Sequence, residues 1–254
     1  MSGIVGNNIV RNGLVLHLNA TDRKSYPGSG TIWYDRSGNN NHFTLYNSPT
    51  FNSSYGGELR FDGVNDYARN RNNTIINSIA ANGTVEIWYR SYDNSFGSTN
   101  YSRLISIAND TGTGSDTTST TGANNDYTTF FCLARNILSN YFILVYKNSS
   151  FIGSTALSTN DNAYYQSIFS WSTSGANMTF NHYVNAINQT TNTYALSNFS
   201  GANNITIGMN CNGAVSNVTE ISKMACSIVR LYSKTLSQTE ITQNFNATRK
   251  TFNI

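Results

Sequence analysis

Residues able to break bonds are sparse in this 254-residue chain, and their spacing is poor for it. Its four glutamates, Glu58, Glu86, Glu220 and Glu240, are isolated from one another. Glycoside hydrolysis needs two carboxyl groups flanking one bond, about 5 Å apart when configuration is retained. A serine or cysteine nucleophile needs a histidine base, and none of His17, His42 and His182 lies beside a G-x-S-x-G elbow. Cys132, Cys211 and Cys226 are odd in number and share no C-x-x-C spacing, which predicts buried free thiols. A Cys211 to Cys226 bridge would require an oxidising compartment and a meeting across a sheet. Phosphate-cradling loops and zinc-ligand spacings are absent.

Two constellations suit binding. Asp62, Asn65 and Asp66 could present oxygen ligands to calcium from a single turn, since hard cations take clustered oxygens. The same residue types also stabilise turns through side-chain to backbone hydrogen bonds, without a metal. Trp33, Tyr34, Tyr92, Tyr101 and Tyr127 fall in or near loops, where aromatic faces can stack on sugar C–H groups or on a protein partner. Trp88 and Trp171 sit inside strand patterns and read as packing residues.

Composition narrows the choice. Only 11% of residues are charged, against roughly a quarter in a typical domain, while the chain holds 16 Tyr and 3 Trp. The surface is therefore expected to be neutral and hydrogen-bonding. A net charge of +3, spread thinly, lacks the dense cationic face that phosphate neutralisation demands, so nucleic-acid binding is excluded as an expectation. Met1 to Asn8 has neither a basic start nor an apolar run, so no signal peptide is read there, and no later stretch is long enough for membrane insertion. The expectation is release into the cytosol.

The elements that must position these residues are strands. Gly13 to Ala20 and Leu59 to Tyr67 alternate apolar and polar residues and end in turn chemistry. Further runs at 42–46, 84–90, 103–108, 127–134, 141–147, 164–173, 178–187 and 205–209 are β-branched or aromatic and bounded by turn residues. Inward positions would include Leu14, Leu16, Leu18, Phe61, Val85, Ile87, Ile105, Phe131, Leu144, Tyr183, Ile207, Val229 and Leu231. Residues 109–126 are nearly all Thr, Ser, Gly, Asn and Asp, which predicts a long exposed loop. Ser237 and Glu240 form an S-x-x-E capping box, and Ile241 and Phe245 recur at i, i+4, so a short helix is expected over 236–246. The reading is all-β, one domain over 1–254, with two antiparallel sheets packed face to face and a short C-terminal helix.

The order of motifs carries a resemblance. The opening strand is followed by Ser25-Tyr26-Pro27-Gly28-Ser29-Gly30, Trp33 and an Asp35-x-Ser37-Gly38-Asn39 turn. Phe61-Asp62-Gly63 with Asn65-Asp66-Tyr67, then Gly83-Thr84-Val85-Glu86-Ile87-Trp88, come next. Tyr183-Val184-Asn185-Ala186, Ile205-Thr206-Ile207-Gly208 and Val229-Arg230-Leu231-Tyr232 complete the series. This string resembles the laminin-G-like branch of the concanavalin A-like lectin/glucanase superfamily and covers nearly the whole chain. The resemblance implies a jelly-roll sandwich. Related glucanases carry a Glu-x-Asp-x-Glu cluster, which this chain lacks, so no enzymatic activity is expected. Many relatives bind calcium at the sandwich rim, although Asn19 stands here where they often have Asp. Similar domains recur in structural proteins of tailed phages and large algal viruses. The resemblance thus implies a non-enzymatic virion protein, a capsid decoration or fibre component assembled in host cytoplasm. Its partners would be other virion proteins such as capsid subunits, with host surface glycans as a further contact. The alternative it implies is a free-standing carbohydrate-binding lectin module, with calcium as an optional cofactor.

Overall fold

The computed structural model describes residues 8–91, 102–108, 129–135, 140–147, 150–153, 157–158, 162–195, 202–209 and 221–254. In chain order the strands begin with β1 (Leu14–Asn19), β2 (Ile32–Trp33), β3 (Phe43–Tyr46), β4 (Thr50–Asn52), β5 (Glu58–Asp62) and β6 (Tyr67–Asn70). After helix α1 (Asn73–Ile79) come β7 (Gly83–Arg90), β8 (Ser102–Ala108), β9 (Thr129–Arg135), β10 (Asn140–Lys147), β11 (Ser150–Gly153) and β12 (Leu157–Ser158). The series ends with β13 (Tyr165–Ser174), β14 (Asn177–Val184), β15 (Ile187–Tyr194), β16 (Asn204–Ile207), β17 (Lys223–Tyr232) and helix α2 (Gln238–Thr248).

These strands form two antiparallel sheets, as the alternation predicts. The eight-stranded sheet runs β15-β14-β13-β7-β17-β5-β4, with β1 also bonded to β17. The nine-stranded sheet runs β11-β10-β9-β8-β16-β6-β3-β2, with β12 added on β10. β17 is long enough to bond two partners in succession, β5 through residues 223–226 and β1 through residues 228–232. One side of each strand faces the space between the sheets. There Leu16, Leu18, Phe61, Val85, Ile87, Ile105, Ile207, Val229 and Leu231 form one core with Trp33, Phe43 and Trp171. Gly83 permits this packing, because a Cβ at that position would lie 2.4 Å from the Trp171 indole.

The other side of the eight-stranded sheet is buried too. Leu14 and Tyr183 pack there with Ile168, Tyr232, Leu236 and Ile241, and Trp88 stacks on Phe252 of the turn that follows α2. The capping box starts α2 as predicted: Ser237 accepts from Glu240 N, and Glu240 accepts from Ser237 N at 3.0 Å. Helix α1 is an element that the periodicity reading leaves out. Asn72 caps it by accepting from Thr74 N, and Ile75, Ile76 and Ile79 turn into the core. Cys226 is a free buried thiol whose pKa burial raises. The side chains of Phe131, Cys132 and Leu144, and residue Cys211, lie outside what is described, as does the 109–126 segment.

Candidate functional site

Of the four glutamates, two lie within the eight-stranded sheet. Glu58 opens β5 and Glu86 lies mid-β7, both on the outer side of the eight-stranded sheet and both fully buried. Arg90 grips Glu58 with two bonds, Nε to Oε2 at 3.0 Å and Nη2 to Oε1 at 2.6 Å. Arg60 Nε adds a third at 2.8 Å, and the Tyr164 hydroxyl donates to Oε2 at 2.9 Å. Burial and the Glu58 charge hold the Tyr164 phenol well above its usual pKa, so it stays a donor. Glu86 accepts from Trp88 Nε1, Gln166 Nε2 and Arg230 Nη1 through one oxygen, and from Asn244 Nδ2 of α2 through the other. A buried carboxylate is tolerable only when paired and hydrogen-bonded, and both of these are. Neither carboxylate is exposed.

Trp33, read from its loop-rich surroundings as a ligand platform, is a core residue. It is 0% exposed, and β2 pairs it with Phe43 so that both rings point between the sheets. Tyr34, its neighbour, turns the other way, stays 42% exposed, and packs edge-on against His42 with ring centres 5.2 Å apart. Tyr92, Tyr101 and Tyr127 lie outside the described residues.

The Asp35-x-Ser37-Gly38-Asn39 motif is a clasp. Asp35 accepts from the backbone of His17, Ser37 and Asn41 and from the Ser37 hydroxyl, while its own N–H donates to His42 Nδ1 at 3.0 Å. Asn41 and Asn39 reach back to carbonyls of β1. This holds the segment carrying Tyr34 on rigid strands, as a binding side chain requires.

Asp62, Asn65 and Asp66 do come together, and the turn uses most of their oxygens. Asp62 Oδ1 accepts from the N–H groups of Val64, Asn65 and Asp66, and Asp66 Oδ2 accepts from Asp62 N at 3.1 Å. Gly63 adopts φ +78°, and a Cβ there would meet Lys223. Asp66 Oδ1 is buried without a hydrogen-bond partner. Burial first, and then the Asp62 charge, push the Asp66 pKa up to about 6. Calcium takes six to eight oxygens. No group of three or more His, Cys, Asp or Glu side chains able to hold a metal occurs among the described residues. Asp62 Oδ1 and Asp66 Oδ2 are spent on the turn's own N–H groups, which leaves too few oxygens for a calcium cage.

Tyr55 is a surface residue that the sequence reading misses. It is 37% exposed and holds φ 51°, ψ 34°, a left-handed conformation unusual for a bulky residue and often found at binding sites. Its ring leans edge-on against Tyr164 at 5.0 Å and lies 5.2 Å from the Arg90 guanidinium carbon. The Glu58 lock therefore also supports an exposed aromatic face.

Comparison with known proteins adds the architecture. Two structures of the botulinum neurotoxin DC binding domain superpose on this chain. One, in complex with SialylT, has a TM-score of 0.63 at 13% identity and covers 94% of this chain and 52% of that one. The other, in complex with rat synaptotagmin II, has a TM-score of 0.63 at 14% identity with the same coverage. A Trypanosoma rangeli sialidase in complex with sialic acid superposes with a TM-score of 0.61 at 14% identity, covering 95% of this chain and 34% of that one. What they share with it is the fold. The chain spans about half the length of the toxin domains and a third of the sialidase. No protein-family model matches the sequence, and no curated relative matches it.

Proposed function

We propose that this chain is a non-enzymatic adhesion module carried on a virus particle, where it contacts other virion proteins such as capsid subunits and a host surface glycan. The observation that carries the non-enzymatic part is the state of Glu58 and Glu86: both are fully buried and held by arginines, leaving no exposed acid–base pair between them. The adhesive part rests on Tyr34 and Tyr55, two exposed aromatic rings on rigid supports in a surface poor in charge. Tyrosine offers large contact area at small entropic cost, to a sugar ring or to a protein side chain alike. The viral setting rests on the resemblance of the motif string to laminin-G-like virion proteins. Edge strands and the 109–126 segment are the surfaces proposed for contact with other subunits.

The second reading is a free-standing lectin, and the toxin domain seen with SialylT favours keeping it. Mass spectrometry of purified particles, followed by imaging of the polypeptide in them, separates the two; absence from particles overturns the virion reading. Glycan-array binding should fall at least tenfold in Tyr34→Ala or Tyr55→Ala, and binding unaffected by both would remove the proposed contact face. Chelation should leave binding unchanged. Release of reducing sugar from laminarin would refute the non-enzymatic assignment.

A further inference from the structure

Among the described residues the eight-stranded sheet ends on β15, which pairs with β14 alone and has β11 of the other sheet nearby. The other described borders are shorter or covered: β4 has three residues, β2 two, β11 four and β12 two, while β1, with six, has its outer edge hydrogen-bonded by Asp35, Asn39 and Asn41. β15 has eight, Ile-Asn-Gln-Thr-Thr-Asn-Thr-Tyr, with no charge and no proline. Proteins ordinarily blunt a long edge with lysine, proline or a covering loop, because its unused N–H and C=O groups are a template for another strand. This edge carries one such device, a bulge near Asn188–Thr190 where the register against β14 shifts. Beyond it, Thr190 to Tyr194 pairs regularly with β14. The outward side chains are braced, Thr193 against Thr179 at 2.8 Å and Thr191 against Asn181 at 2.7 Å.

We infer that this chain forms a dimer in which β15 pairs antiparallel with β15 of a second copy, joining the two eight-stranded sheets into one. The edge is self-complementary. A two-fold axis normal to the sheet at Asn192 opposes Asn192 with itself, Thr191 with the copy's Thr193, and Thr190 with the copy's Tyr194. Each opposed pair can hydrogen-bond, and no like charges meet, which is the condition for directly opposed residues to attract. A symmetric interface uses the same patch twice, so a neutral patch suits a second copy, whereas a charged edge would select a partner of opposite sign. The pairing needs no glycan and no other protein, so it can be tested apart from glycan binding, although it takes one of the edges proposed for contact with other subunits.

Analytical ultracentrifugation of the purified chain over a micromolar concentration series tests this. Twice the monomer mass is expected, and a monomer throughout, or a trimer, overturns the inference. Asn192→Lys places two ammonium groups at the axis and should abolish the dimer. An equimolar mixture of Asn192→Lys and Asn192→Glu should restore it, as a heterodimer. A dimer unaffected by Asn192→Lys places the interface elsewhere and overturns the inference. Hydrogen exchange on the unmodified chain provides a second readout that needs no variant. Amides of 190–194 should gain protection on concentration while those of β4 do not, and unchanged exchange in 190–194 counts equally against the pairing.

Discussion

Single side chains set how this protein responds to pH, and they pull in opposite directions. His182 is buried beside Phe169 with neither ring nitrogen hydrogen-bonded, and desolvation pushes its pKa down to about 3. His17 falls to about 3 through burial, reinforced by Arg230, Arg11 and Arg36. A histidine depressed in the folded state contributes its full stability above the unfolded value near 6.5 and loses it as pH falls toward 3. The loss is about 1.4 kcal/mol per histidine for each pH unit in that window. His182→Leu should therefore flatten the decline in urea midpoint between pH 6 and pH 4, and a decline as steep as in the parent would contradict the assignment. Asp66 behaves in the opposite sense. Its pKa is raised to about 6, so its contribution is fully present below the unfolded carboxylate value and is lost as pH rises through 6. Asp66→Asn should melt higher than the parent at pH 7.5 and like it at pH 3.5. Added calcium should not raise the parent's melting temperature at pH 7.5; a rise would mean that Asp66 Oδ1 has found a cation.

At the scale of elements, strands were legible and pairings across the chain were not. Alternation places Leu16, Leu18, Val85 and Ile87 in the core before any coordinates, but Leu14 and Tyr183, expected inward as well, pack on the outer side, Leu14 because the register against β17 shifts between it and Leu16. β2 is only two residues long, so no period exists to reveal that Trp33 points inward. Helix α1 left a weak signal, Ile75 and Ile79 one turn apart behind an Asn cap, within a run dominated by polar residues. The ion pairs of Glu58 and Glu86 join residues 32 and 144 positions apart, and nothing local in the sequence encodes them. The β14–β15 hairpin shows a local choice with a cost. Its two loop residues, Asn185 and Ala186, both have positive φ, at 49° and 64°, the pattern of a type I′ turn. Alanine is disfavoured there where glycine is not. Ala186→Gly should raise unfolding free energy by about 0.5–1 kcal/mol, after allowance for glycine's larger unfolded-state entropy. Chemical denaturation measures it, and a destabilised variant would show that the methyl group packs usefully against its partly buried surroundings.

The whole molecule has a built-in polarity, because its first and last described segments lie on the same outer side. Val10 N donates to Asn244 Oδ1 of α2 at 2.8 Å, and Gln243 Nε2 donates to the carbonyl of Asn8 at 2.7 Å. The last turn lies against the same sheet, with Phe252 stacked on Trp88 and Tyr164. A graft made directly at Asn8 or at Ile254 therefore departs from the flank roofed by α2. A bead, a fluorophore or a neighbouring domain attached there would leave the nine-stranded layer turned toward the bulk solution. Tethering by the front or by the back of the chain would then give the same orientation, like a shield with both straps on its inner side.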